Sequence, residues 1–165
     1  MFKSGDYVVK PNTGVCRIES IVQMDLTGAG EKDYYQLHPV GDTRSILYVT
    51  VDADRARLRA AMSREEALEF IRKIPEMEIA WIENEKMREQ CYKDAFRTNE
   101  AADLVSIIKN MYLRRQERLA AGKKITATDD KYSQQAEKIL YSEIAVSLDS
   151  TFEDVKTLIT DVLEG

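Results

Sequence analysis

The stretch Tyr7-Val-Val-Lys-Pro-Asn-Thr-Gly-Val-Cys-Arg-Ile-Glu-Ser-Ile-Val22 decides how the first third of the chain folds. A short apolar run is followed by the turn residues Pro11–Gly14 and then by a segment in which apolar and polar residues alternate. Side chains alternate between the two faces of a strand, so Cys16, Ile18 and Val22 are expected on one face. The stretch therefore predicts two antiparallel strands joined by a tight turn.

The same pattern continues to about residue 52. Turn sequences occur at Thr27–Gly30 and Val40–Thr43, and they are followed by the apolar runs Tyr34–Leu37 and Ile46–Val51. Four or five short strands with a turn about every 8–12 residues are typical of a small antiparallel barrel. We therefore expect a first domain over residues 1–55 that is an SH3/Tudor-like antiparallel β-barrel.

The apolar period becomes helical after the barrel. Ser63–Glu66 and Ser150–Glu153 both have the pattern of a capping box and predict two helix starts. Periodicity places about five helices at about residues 64–73, 78–96, 99–121, 129–148 and from 151 onward. The chain is thus predicted to be α+β, with the barrel followed by an all-α domain over residues 60–165. The join at residues 52–62 contains no Gly or Pro, which favours a short connector compatible with a helix.

Trp81 is the only tryptophan of the chain and falls in the helix predicted over residues 78–96. The apolar stripe of that helix consists of Ala80, Met87, Cys91 and Ala95. Trp81 lies about 80° away from the centre of this stripe. The spacing leaves two interpretations open: Trp81 packs against a neighbouring element, or it is exposed for contact with a partner.

Composition excludes several classes of protein. The chain is 44% hydrophobic and 32% charged, which is typical of a folded protein with a core. Its longest apolar run, Ile46–Val49, is far shorter than the roughly 18 residues of a membrane span. Cys16 and Cys91 lie far apart, and no disulfide is indicated. Since the first residues also lack the apolar region of a secretory signal, we expect a cytoplasmic location and no membrane partner.

Residues that carry catalysis are sparse. His38 is the only histidine, and with two scattered cysteines the chain cannot assemble a zinc site of the usual ligand spacing. No Ser–His–Asp or Cys–His set is indicated either. The sequence predicts a binding protein rather than an enzyme, with no cofactor, no metal and no small-molecule substrate.

Basic residues cluster in one segment of a chain whose net charge is −5. Between Tyr112 and Lys124 a single acid, Glu117, accompanies five basic residues: Arg114, Arg115, Arg118, Lys123 and Lys124. A charge run of this kind is either a solvated helix face or a local patch that contacts nucleic acid. An acidic protein would meet nucleic acid through such a patch, with help from another binder.

Four segments of the chain resemble a known family. They are Phe2–Ile18, Asp33-Tyr-Tyr-Gln-Leu37, the segment around Trp81, and Tyr112-Leu-Arg-Arg-Gln-Glu-Arg118 followed by Ala120-Ala-Gly-Lys-Lys124. In this order and spacing they resemble the CarD/CdnL family of bacterial transcription regulators. The first module of that family is similar to the polymerase-interacting domain of the transcription-repair coupling factor.

The resemblance implies a Tudor-like domain that binds the β subunit of bacterial RNA polymerase, and a helical domain that contacts promoter DNA without reading sequence. It implies that Trp81 wedges into the minor groove at the upstream edge of the melted region, supported by Lys86. With neighbouring basic residues, the expected DNA-binding set is Trp81, Lys86, Arg88, Arg114, Arg115, Arg118, Lys123 and Lys124. A wedge at a deformed base step disfavours return to regular duplex, so the open promoter complex is stabilised.

One departure from the family concerns polymerase binding. The positions of the family's polymerase-facing arginines hold Met24 and Tyr48 here, and Arg44 or Arg17 is a candidate to replace them. The expected polymerase-binding set is therefore Met24, Arg44 and Tyr48. A function of a different class remains open, namely an SH3-like protein–protein adaptor without DNA contact.

Overall fold

The computed structural model describes residues 1–42, 44–52, 57–78 and 84–165. These residues form two compact units, Met1–Ala61 and Met62–Gly165. We call the first the sheet unit and the second the helical unit. The α+β class predicted from the sequence is confirmed. No helix within the described ranges has the length and apolar character needed to cross a membrane.

The sheet unit is built on antiparallel strands in the order β4-β3-β2-β1-β5. Within the described ranges the strands are β1 (Tyr7–Lys10), β2 (Gly14–Met24), β3 (Lys32–Pro39), β4 (Leu47–Thr50) and β5 (Arg59–Ala60). Strand β5 corrects the prediction for the join between the units. Residues 59–60 are extended because Val8 and Val9 of β1 pair with them. Residues 53–56 of the join lie outside the described ranges, and closure of the sheet into a barrel stays a prediction.

One face of the sheet carries the apolar core. The alternation predicted for β2 is confirmed as far as Ile18, which is fully buried together with Cys16. A bulge between Ile18 and Ser20 then adds one residue to β2, so the following side chains change faces. Val22 therefore pairs with Tyr34 on the opposite face, and its predicted place beside Cys16 is wrong. The buried core consists of Val8, Cys16, Ile18, Tyr35, Leu37 and Val49.

The helical unit contains, in its described part, five α-helices and one short 3-10 turn. Ser63 begins the first helix with the predicted capping box, since its hydroxyl and the Glu66 carboxylate each accept a backbone N–H of the other residue. The last helix is capped by Thr151 rather than by Ser150, because the Thr151 hydroxyl accepts the Asp154 amide. The elements are α1 (Arg64–Lys73), the 3-10 turn (Ile74–Glu76), α2 (Glu85–Thr98), α3 (Ala101–Ala120), α4 (Ala127–Leu148) and α5 (Phe152–Glu164).

Helix α2 begins later than the sequence pattern predicts. The prediction placed its start near residue 78, whereas the structure begins it at Glu85. Asn84 is the cause, because its side-chain Oδ1 accepts the amides of Lys86 at 3.0 Å and Met87 at 3.2 Å. An asparagine with extended backbone that bonds the first free amides is a strong N-cap, and it fixes the helix start.

The apolar stripe predicted for α2 is wrong at Met87 and Cys91, whereas Ala95 is partly buried and Ala80 lies outside the described ranges. Met87 is 62% exposed, and Cys91 is exposed as well. The buried positions are instead Arg88, Tyr92 and Phe96, which recur at four-residue spacing. The later helices bury an apolar face that includes Leu104, Val105, Ile108, Met111, Ala136, Leu140, Ile144, Val155 and Ile159, whereas Leu119 and Leu158 are exposed.

Candidate functional sites

The face of the sheet opposite the core brings together two residues expected to bind polymerase. Tyr48 of β4 pairs with Gln36 of β3. Met24, beyond the bulge of β2, pairs with Lys32 of β3. Cross-strand partners share a face, and Lys32 and Gln36 lie an even number of residues apart, so Met24 and Tyr48 are on the same face. We call this the second face; the bulge is what turns Met24 toward it.

The second face is accessible at β4, which is an edge of the sheet as described. Tyr48 is 43% exposed, and Arg17 on the same face is also exposed. Arg44 lies in the connection between β3 and β4, where its backbone N–H donates to Asp42 Oδ1 at 3.1 Å. An exposed edge with an aromatic and nearby cations is suited to binding another protein.

Trp81 lies within residues 79–83, outside the described ranges. Its expected partner Lys86 is exposed in the first turn of α2, directly after the Asn84 cap. Lys86 forms no ion pair with any residue in the described part of the chain.

Arg88 belongs to the core of the helical unit and is 1% exposed. Its guanidinium donates from Nε to Asp129 Oδ1 at 3.1 Å and from Nη2 to Asp129 Oδ2 at 3.2 Å. Arg114 Nε donates to the same Oδ2 at 2.8 Å, and the Tyr92 hydroxyl contacts Oδ1 at 3.3 Å. One buried carboxylate thus joins helices α2, α3 and α4.

The charges of this network are stabilised by their own partners. Burial alone would raise the pKa of Asp129, but the hydrogen bonds and charge of Arg88, with Thr126 and Arg114, bring it below its ordinary value. Burial likewise opposes the charge of Arg88, and Asp129 more than offsets this and raises the Arg88 pKa. Burial first, and then the charge of Asp129, raise the pKa of Tyr92. At neutral pH the pair is ionised and the tyrosine is neutral.

These positions bear on the expectation that Arg88 and Arg114 contact DNA. A phosphate contact needs an accessible guanidinium, whereas Arg88 is buried and the Arg114 side chain is 15% exposed. Both groups are held by Asp129. Removing either arginine would leave the buried Asp129 carboxylate with less positive charge to offset its desolvation. The structure therefore assigns both arginines to the stability of the helical unit rather than to a DNA-facing surface.

The other basic residues surround the turn that follows α3. Arg118 holds this turn, since its Nε donates to the Lys124 carbonyl at 2.6 Å and its own carbonyl accepts the Lys123 amide at 2.8 Å. Arg115 is half-exposed and is 3.5 Å from Asp130. Lys123 and Lys124 are exposed cations without an ion pair in the described part of the chain, and Arg115 adds a cation whose exposed ion pair is weak.

The sheet unit also matches a family model. Residues 2–62 match the model of the CarD-like/TRCF RID domain. The sheet unit is a CarD-like domain. The resemblance predicted from the sequence is thereby confirmed for this unit, and the chain carries a domain of an RNA polymerase-interacting family. No curated protein matches the chain.

The helical unit contains two residues that the sequence did not single out. Asp129 was read only as the start of a helix, although it is the centre of the buried network. Lys109, on α3, donates to three backbone carbonyls after α1. The sequence contained a signal for Asp129. Arg88, Tyr92 and Phe96 recur at a spacing of four residues, and if this face of the helix is buried, Arg88 requires a buried counter-charge.

The helical unit also has surface pockets. One of about 180 Å³ lies between α2 and α3, and another of about 360 Å³ lies among α3, α4 and α5. The larger is at the lower end of the size range of small-molecule sites, roughly 300–1,000 Å³. Across the described ranges no three His, Cys, Asp or Glu side chains are grouped so as to hold a metal ion.

Proposed function

We propose that this chain is a transcription regulator that binds the β subunit of RNA polymerase through its sheet unit and stabilises the open promoter complex through its helical unit. The observation that carries the proposal is the CarD-like/TRCF RID match over residues 2–62, followed by a separate helical unit. The protein acts by binding rather than by catalysis, in the compartment where transcription takes place. The sheet closes as a Tudor-like barrel in this proposal.

Polymerase docks on the second face and on the β4 edge. Support comes from the exposed Tyr48, from Met24 on the same face, and from the exposed Arg44 in the connection before β4. A strand edge offers backbone N–H and C=O groups to an added strand, while alternate side chains of β4 give specificity. Arg17 supplies a further cation on the same face.

The helical unit contacts DNA through few charges and one aromatic wedge. The cations that support this contact are Lys86, Lys123 and Lys124, which are exposed, together with Arg115. With about three to four phosphate contacts and a net negative charge, the isolated protein binds DNA weakly and without sequence preference. Polymerase supplies the missing affinity by holding the helical unit near the promoter, as a tether raises effective concentration. Trp81 then occupies a deformed step in the minor groove.

The proposal is tested by Trp81→Ala in the full-length protein. We expect the mutant to remain folded and to bind polymerase normally, but to lose the lengthening of open-complex lifetime that the wild type produces. Met87→Ala is the matched control, because Met87 is an exposed apolar side chain close in sequence. An unchanged lifetime with Trp81→Ala would refute the wedge.

Polymerase binding by the sheet unit is tested with Tyr48→Asp, which places a charge on the second face, in a polymerase-retention assay. Polymerase retention should fall at least about tenfold, a loss of about 1.4 kcal/mol. Leu26→Asp is the control, since Leu26 is a 57% exposed apolar residue outside the strands of the same unit. Equal retention of the two variants would move the polymerase site away from the β4 edge.

A second candidate function is a protein–protein adaptor without DNA contact. The observation that favours it is the use of Arg88, Arg114 and Arg118 in internal contacts, which reduces the basic segment expected to meet DNA. DNA footprinting separates the two functions. A regulator of the first kind protects promoter DNA only when polymerase is present, and an adaptor gives no added protection.

A further inference from the structure

The cleft of about 360 Å³ among α3, α4 and α5 has a mixed lining. Its buried part includes two apolar side chains of α3, Ile108 and Met111. Two hydroxyl-bearing residues of α4, Ser133 and Tyr141, line it as well and are only 4% and 1% exposed. The cleft therefore combines apolar surface with buried hydroxyl groups.

These two hydroxyl groups have no hydrogen-bond partner in the described part of the chain. A buried hydroxyl without a partner is unfavourable, which is why most buried polar side chains are bonded. The ring of Tyr141 packs against Phe152 with the ring centroids 5.8 Å apart, and this contact does not involve the hydroxyl. Burial first, and then the negative charge of Glu137, raise the pKa of Tyr141, so its hydroxyl lies near a carboxylate of the cleft. A polar group of a bound molecule would supply the missing partner.

Four charged side chains of the cleft form two loose ion pairs. Arg115 Nη2 is 3.5 Å from Asp130 Oδ1, and Lys156 Nζ is 3.8 Å from Glu137 Oε2. Ion pairs that are partly exposed to water contribute little to stability. Each charge can therefore exchange its partner for a group of a bound molecule at small cost.

The Glu137 carboxylate is incompletely compensated by its neighbours. Burial raises its pKa, and the charges of Lys156 and Arg115 oppose this rise without cancelling it. A further positive charge beside Glu137 would stabilise its ionised form. A purely cationic molecule would, however, be repelled by the two basic residues, and a purely anionic one by the two acids. A molecule with one charge of each sign has a favourable partner for both.

We infer that this cleft binds a free α-amino acid with an apolar side chain. Its carboxylate is received by Arg115 or Lys156, and its ammonium group by Glu137. Its side chain lies against Ile108 and Met111. A cleft at the lower end of the size range of ligand sites suits so small a molecule. Binding requires neither polymerase nor DNA, so it does not depend on the proposed function.

The site is tested by titrating the full-length protein with L-phenylalanine and following the amide chemical shifts by NMR. We expect saturable shifts at Ser133, Glu137 and Tyr141, with an affinity in the millimolar range that is usual for so small a ligand. The amides of Val8 and Leu37, in the core of the sheet unit, should not shift. No saturable shift up to the solubility limit of L-phenylalanine would overturn the site.

Three related molecules test the class of ligand. L-phenylalanine amide lacks the carboxylate, N-acetyl-L-phenylalanine lacks the ammonium group, and glycine lacks the apolar side chain. Each should bind at least about tenfold more weakly than L-phenylalanine, because each loses a contact with a charged group or the burial of a ring. If any of the three binds as tightly as L-phenylalanine, the assignment to an apolar amino acid is wrong.

Variants locate the binding within the cleft. Tyr141→Phe keeps the ring contact and should weaken binding about fivefold, the effect of one hydrogen bond, with an unchanged melting temperature. Because either cation can receive the carboxylate, at least one of Lys156→Gln and Arg115→Gln should weaken binding about tenfold. Lys138→Gln is the matched control, since Lys138 is exposed on α4 and does not line the cleft. If all three variants bind as tightly as Lys138→Gln, the amino acid binds elsewhere and the cleft is not its site.

Discussion

The two units of the chain have cores of different composition. In the sheet unit the described core is apolar, with Val8, Ile18 and Leu37 fully buried. In the helical unit several polar side chains are buried among apolar ones: Arg88, Asn99, Asn110, Asp129, Ser133 and Glu143. Among the described residues of the sheet unit, no charged, amide or serine side chain is buried to this degree.

The difference follows from how the two kinds of structure bury their backbone. Strand pairing satisfies the backbone groups of the sheet, so apolar side chains can fill its core face. Helix ends and connections leave backbone groups that need partners, and side chains of the helical unit provide them. Glu143 accepts the Met62 amide at 2.9 Å, and the Ser147 hydroxyl donates to the Met62 carbonyl at 2.6 Å. The helical unit therefore depends on specific polar contacts, and the sheet unit depends on apolar packing.

The largest expected effect comes from Asp129→Ala. This change removes the described counter-charge of the buried Arg88 guanidinium and also the described ion-pair partner of Arg114. Breaking a buried pair by removing one member costs about 3–5 kcal/mol, which is a large part of the stability of a small domain. Chemical denaturation followed by Trp81 fluorescence measures this cost. Asp130→Ala removes an exposed neighbour and should stay within about 0.5 kcal/mol.

The stability of the helical unit should depend on pH through the buried Asp129 carboxylate. The folded-state pKa of Asp129 is below its unfolded value, so its contribution is present above the unfolded pKa of about 3.9 and is lost as pH falls through the folded-state pKa. The helical unit of the wild type should therefore weaken below about pH 4. Asp129→Asn, which cannot ionise, should be less stable at neutral pH and lose less on acidification. Parallel denaturation curves of the two proteins at every pH would contradict the assignment.

The sequence predicted those parts of the fold in which the apolar pattern and the turn residues agree. Strands β1 to β4, the capping box at Ser63 and the helices α3 and α4 are of this kind. The prediction from the sequence was wrong at two places, where a single residue shifts the strand register or sets the start of a helix. The bulge after Ile18 adds a residue that alternation does not reveal, and it moves Val22 to the second face. Asn84 starts α2 although the residues before it have ordinary helix propensity.

The candidate sites were less predictable for a physical reason. From sequence alone a basic residue is predicted to be exposed, because charged side chains are seldom buried without a partner. The partner of Arg88 is Asp129, which is distant in sequence and reaches it only when α2 and α4 pack together. Arg114 is drawn to the same carboxylate. A pattern along one helix contains no information about such a contact, so the expected DNA-binding set included residues that hold the helices together.

The smallest expected effect concerns the two thiols, which lie one in each unit. Cys16 is fully buried in the sheet core, and burial raises the pKa of its thiol to about 11, against a smaller lowering by Lys10. At pH 8 only about one Cys16 in a thousand is then a thiolate, the form that reacts. Cys91 is exposed on α2. A thiol reagent should therefore modify Cys91 rapidly and Cys16 only when the sheet unit opens.

The variant Cys91→Ser isolates the slow reaction, and as a surface change it should alter stability by less than about 0.5 kcal/mol. In this background the rate at Cys16 reports opening of the sheet unit, while Trp81 fluorescence reports unfolding of the helical unit. Adding Asp129→Ala should destabilise the fluorescence transition and leave the Cys16 rate unchanged, because the described partners of Asp129 all lie in the helical unit. If the rate of Cys16 modification rises in parallel with unfolding of the helical unit, the two units unfold together as a single cooperative unit.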